Sequence, residues 1–223
     1  MQDHAPQAAL DDIADDAWFT VSRCDEAPGA AQLAGTLAKL VDQCDAADTH
    51  HKKKLRRAKT KADPKAVAAR GGVEAFANTT SKKLLGIVNQ DRSDVRFAKY
   101  MTKPASELTD LDRDGLRAWL SAVVDVATAE ADKAIAAILK PAAGLRDNWD
   151  AAETGRDSAE AAIAHHRTTV KEPLVATVNA ERRILLGALV QLAAKNKLGK
   201  KWPQTFFRKA AKARKVASDT PNP

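Results

Sequence analysis

Apolar positions recur along this chain mostly at steps of three and four, which is the spacing of one face of an α-helix. The first such segment, about Ala9 to Cys24, has Ile13, Trp18 and Val21 on its apolar side. Asp11, Asp12, Asp15 and Asp16 crowd its first turns, where acids suit the helix dipole. Pro28-Gly29 ends it. A second helix starts near Ala31 with the stripe Leu33, Leu37, Leu40, Cys44, Ala47, His51, Leu55. Lys61 to Gly72 reads as a connector because of Pro64 and Gly71-Gly72. A third helix, near Val73 to Asn89, turns Phe76, Leu84, Ile87 and Val88 inward, and Asp91 to Leu108 reads as an irregular crossover around Pro104.

The fourth helix is expected over about Asp110 to Leu139, with Leu116, Leu120, Val123, Ala127, Ile135 and Ile138 inward. The fifth, about Ala142 to Ala194, carries Leu145, Trp149, Ala152, Arg156, Ala159, Ile163, His166, Val170 and Leu174 on one stripe. Pro173 is expected to bend it. A last short helix opens at Trp202-Pro203, where proline suits the first position, and ends by Lys215. No segment sustains a period of two. The pattern predicts an all-α, antiparallel helical bundle of about five long helices plus a short basic C-terminal helix. Residues 1–198 form the expected bundle domain, and 199–223 the basic helix and a frayed tail.

Composition narrows this picture. Hydrophobic residues make up 44% of the 223 positions, but many are alanine, and aromatics are only 4%. Alanine favours helix and contributes little burial, so closely packed helices are expected rather than a deep aromatic pocket. No run approaches the roughly 20 apolar residues of a membrane span. The polar, acidic Met1-Gln2-Asp3-His4 start is unlike a signal peptide, so a cytoplasmic address is expected. Cys24 and Cys44 agree. If Pro28-Gly29 closes a helical hairpin, Cys44 lies about twelve residues, roughly 18 Å, beyond the position opposite Cys24. That is too far for a disulfide, so two buried reduced thiols are expected.

Charge changes the picture most. Residues 1–48 hold ten acids against Arg23 and Lys39, whereas 52–65 have a net charge of +7 and 195–215 a net charge of +9 with no acid. The first cluster includes Lys52, Lys53, Lys54, Arg56, Arg57 and Lys59, and the second Lys200, Lys201, Arg208, Lys209, Lys212, Arg214 and Lys215, with Trp202 beside it. Cations along a phosphate backbone release condensed counterions, and aromatic faces among them can stack on unpaired bases. These residues are therefore the candidate nucleic-acid contacts. The same clusters can instead be solvated helix ends, with Trp202, Phe206 and Phe207 capping the core. Phe206, Ala210 and Ala213 share one face of the last helix, and Arg208, Lys212 and Lys215 another.

Catalytic and metal motifs are incomplete. Asp110-Leu111-Asp112-Arg113-Asp114-Gly115 matches half a calcium loop, but its twelfth position is Ser121 where a bidentate glutamate is needed. The alternative is a helix start with Thr109 as cap. His50-His51 and His165-His166 sit on two long helices, with His51 and His166 on the apolar stripes. Inward imidazoles could bind metal or haem, yet no Glu-x-x-His pair accompanies them and Arg156 shares the stripe. Gly71-Gly72 lacks the strand and lysine of a phosphate loop. The expectation is a non-enzymatic protein with no cofactor or metal whose partner is nucleic acid or another polyanion. The alternative is a structural or assembly protein whose charge-segregated helices serve self-association or a protein partner.

Overall fold

The computed structural model describes Met1 and residues 3–208. The protein is all-α, with no strand among the described residues. In chain order the helices are α1 (Leu10–Asp25), α2 (Gly35–His50), α3 (Arg57–Ile87), α4 (Val95–Ala98), α5 (Ala105–Thr109), α6 (Arg113–Ala127), α7 (Lys133–Leu139), α8 (Ala142–His166) and α9 (Glu172–Lys195). Short 3₁₀ turns cover Ala31–Ala34 and Trp202–Phe206, and π-helical turns cover His51–Arg56 and Arg167–Lys171. The chain divides into two compact units, Met1–Arg56 with Ala162–Pro223, and Arg57–Ala161. Among the described residues no helix is long and apolar enough to cross a membrane.

In the first unit α1 presents Leu10, Ile13, Ala14, Ala17, Val21 and Cys24 to the core. The middle of this inward face is formed by Ala14 and Ala17, and Trp18, expected inward, stands 56% exposed. The reason is register: the stripe through Ala14, Ala17, Val21 and Cys24 leaves Trp18 on the flank. Gly29, at φ +79°, turns the chain toward α2, a conformation that costs glycine little. Leu37, Leu40, Val41 and Cys44 of α2 meet Val175, Val178, Leu185 and Leu189 of α9, with Phe206 and Phe207 in the same core. Each buried leucine or valine contributes about 1.5–3 kcal/mol. Both cysteines are buried and free, and burial pushes each thiol pKa up to about 11.

The second unit has its own core, in which Val73, Phe76 and Leu84 of α3 pack with Leu116, Trp119, Leu120 and Trp149. Trp119 Nε1 donates to the Tyr100 carbonyl at 3.0 Å. The connector expected over Lys61 to Gly72 is helical instead, since α3 runs through Pro64 and both glycines. Alanines and long-chain cations around Pro64 favour helix. A Cβ at Gly72 would lie 3.5 Å from Leu145 Cδ2, an ordinary van der Waals contact, so packing does not require glycine there.

The expected fourth helix is two, α6 and α7. Asp112 accepts from the Gly115 amide at 2.8 Å and caps α6, so the cap is Asp112 and not Thr109. The calcium half-motif is therefore a helix start. Asp132 accepts from the Ala134 and Ile135 amides, which starts α7. The expected fifth helix is one unbroken helical run, α8 and α9 joined through the second π-helical turn, and Pro173 follows that turn in the first turn of α9. Arg156, expected at a core-type position, is half-buried and pairs with the buried Glu153 at 2.7 Å.

Candidate functional site

The first basic cluster lies on the first π-helical turn and the start of α3. Lys52 is committed: its Nζ lies 2.9 Å from both Asp11 and Asp48 and is held in its charged form by them. Lys53 and Lys54 are exposed and have no ion-pair partner among the described residues. In the second unit Arg57 is exposed at the start of α3, and Lys59 pairs with Glu160 at 3.0 Å.

Of the second cluster, Lys200 and Lys201 are exposed and unpaired among the described residues. Trp202 is half-buried with its ring edge-on to Phe206 at 4.6 Å, against the core. Arg208 lies 3.5 Å from Asp16 and 5.2 Å over the Phe19 ring. Lys209, Lys212, Arg214 and Lys215 lie outside the described residues. The two acid–base contacts Lys52–Asp11 and Arg208–Asp16 link both basic clusters to the acidic α1 within one unit.

A cavity of about 340 Å³ in the first unit lies where both π-helical turns meet α1. Its walls include Lys52, Arg56, Arg167, Lys171, His51 and His166, with the carboxylates of Asp11 and Asp48 also present. A π-turn widens the helix by one residue and is common at functional sites. The rings of His50 and His51 lie 5.7 and 5.5 Å from His166, so the two histidine pairs of the sequence do meet. His166 is only 8% exposed and hydrogen-bonds the Ala47 carbonyl. Burial, then the neighbouring His51 and His50, lowers its pKa below the usual imidazole value. Burial and Arg56 lower that of His51 as well. Among the described residues no group of three or more His, Cys, Asp or Glu is arranged to hold a metal ion.

Arg167 and Lys171 were not singled out by charge runs or motifs. A signal existed: both histidine pairs are followed directly by cations, His50-His51-Lys52 and His165-His166-Arg167. Nothing in the sequence pointed to Arg182, which is 2% exposed on α9 with its guanidinium 5.8 Å over the Phe207 ring. It contacts His4, whose backbone N–H and C=O both bond the Asn179 side chain at 2.9 Å. Burial, then Arg182, lowers the His4 pKa.

The second unit holds a separate cleft of about 410 Å³. Lys82, Arg92 and Lys103 line it with Asn78, Ser81, Thr102 and Ser106, over a floor that includes Phe97 and Met101. No carboxylate lines it, and the three cations are exposed without ion-pair partners among the described residues. These cations are scattered in sequence, so no charge run marks them. Comparison with protein-family models, curated proteins and solved structures returned no significant match.

Proposed function

We propose that this chain is a non-enzymatic helical protein that contacts a polyanion, nucleic acid foremost, by sequence-independent charge contacts. The observation that carries the reading is the division of its cations into two sets. Lys52, Lys59 and Arg208 are bound to carboxylates, whereas Lys53, Lys54, Lys200 and Lys201 of the first unit reach solvent without a described partner. The carboxylate-free cleft of Lys82, Arg92 and Lys103 adds a second basic surface on the other unit. A long polyanion rewards uncommitted cations, because each neutralised phosphate releases a counterion. The buried placement of Phe206 and the half-buried Trp202 argues for backbone contact over base stacking. The same proposal places the protein in the cytoplasm.

Fluorescence anisotropy with labelled duplex DNA and single-stranded RNA tests the division directly. Charge reversal at Lys53 and Lys54, or at Lys200 and Lys201, should weaken binding on every sequence alike. Lys59→Gln, which removes a paired cation, should change it little. Equal losses from all three would refute the reading.

A second reading, assembly through opposite charges, has one observation in its favour. Asp12, Asp15, Asp42 and Asp45 remain exposed without a described side-chain partner in the same unit as the free lysines. Concentration-dependent mass in light scattering that disappears at high salt would support it.

A further inference from the structure

We propose that the cavity walled by the two π-helical turns of the first unit binds a compact phosphate dianion, free or as a small monoester. Arg167 and Lys171 supply the charge, and His51 and His166 the hydrogen-bond donors. This site is distinct from the exposed lysines above and does not depend on them.

Five observations converge on it. The walls carry four cations against two carboxylates. Both of those carboxylates are held by one ammonium, since Lys52 sits 2.9 Å from Asp11 and from Asp48. Arg167 shares Glu172 at 3.1 Å and Lys171 donates to the Gln7 carbonyl at 3.1 Å, contacts that orient both side chains and leave further N–H groups for a ligand. Two independent helical runs widen to π geometry at this one cavity, which is an uncommon local structure. Finally, the buried imidazole of His166 stacks with those of His50 and His51 beside these cations, which places titratable ring nitrogens at the cavity wall. At about 340 Å³ the cavity admits a phosphate with a small substituent and no macromolecule.

Binding should take up protons. His166 is faced by His50 and His51 from α2 and the first π-turn, by Lys171 from the second, and by the Ala47 carbonyl; His51 is faced by Arg56, Lys52, Asp48 and Lys171. A dianion among these groups favours the imidazolium form, so affinity rises as pH falls.

Isothermal titration of the full chain with inorganic phosphate, glycerol phosphate and sulfate tests this. Sulfate stays a dianion across the range, so its pH dependence reports on the protein alone. The expected result is saturable one-site binding with Kd of about 1 mM or tighter. Sulfate should bind more tightly at pH 6 than at pH 8, approaching tenfold per pH unit for one proton taken up. Arg167→Gln should weaken all three ligands at least several-fold. His166→Gln should flatten the pH dependence, with His51→Gln as the partner variant should the first lose its helical signal. Charge reversal at Lys53 and Lys54 should leave sulfate binding intact while weakening nucleic acid. Failure of all three anions to bind, or binding insensitive to Arg167→Gln, would overturn the proposal.

Discussion

Acidification from pH 7.5 to 5.5 should destabilise the first unit through three histidines. His4, His51 and His166 all have pKa values lowered from 6.5, each mainly by burial. The native state therefore resists a proton that the unfolded chain accepts. Stability is unaffected well above 6.5 and is lost as pH falls through and below that value, until the native rings themselves protonate. Linkage sets a ceiling of about 1.4 kcal/mol per pH unit for each group. His166, 8% exposed, and His4, with its side chain 12% exposed, are the stronger contributors. Discounting for partial exposure, a total loss of about 1–2 kcal/mol between pH 7.5 and 5.5 is expected. The carboxylates with lowered pKa values, such as Asp11, Asp94 and Asp150, titrate below this window and do not confuse it. Urea unfolding at pH 7.5, 6.5 and 5.5 measures the effect, and the triple variant with glutamine at all three positions should show little of it. A flat stability in the native chain, or an unchanged slope in the triple variant, would refute the reasoning.

Other expectations follow from burial and capping. Leu189→Ala removes a fully buried side chain and should cost about 2–5 kcal/mol in urea unfolding, whereas Trp18→Ala, at a 56% exposed position, should cost less than about 0.5 kcal/mol. Cys24 and Cys44, with pKa values of about 11, should resist thiol-specific reagents at pH 8 and react only on denaturation; rapid native labelling would contradict the packing of α1 on α2. Asp112→Ala should lower stability by about 1 kcal/mol through loss of the α6 cap, with calcium producing no shift in the native melting temperature.

The all-α class was legible because helical stripes persist over long stretches, and the meeting of His51 with His166 was foreshadowed by their places on two such stripes. What the stripes did not convey was which residues an alanine-rich interface prefers. Ala14 and Ala17 let α1 approach its neighbours closely, and that register turned the larger Trp18 outward. Local breakers also misled: Pro64 and Gly71-Gly72 suggest a connector, but helix-forming neighbours carry α3 through them. Charge runs located the basic segments but not their commitments. Lys52 is held by Asp11, a partner 41 residues away, and Lys59 by Glu160, 101 residues away. Such pairings depend on tertiary packing, which one sequence does not display. The cavity needed Arg167 and Lys171, whose charge is ordinary in sequence and significant only where both π-turns converge.

The salt dependence of nucleic-acid binding tests the central claim most directly. Affinity for duplex DNA, measured from about 50 to 300 mM salt, should fall linearly on a log–log plot with a slope near −0.9 for each phosphate neutralised. Reversing Lys53 and Lys54 should make that slope shallower by about two units. A weak, flat response at the lowest salt, where charge contacts are strongest, would contradict the polyanion reading and leave the charged surfaces of α1 and the free lysines to serve a protein partner.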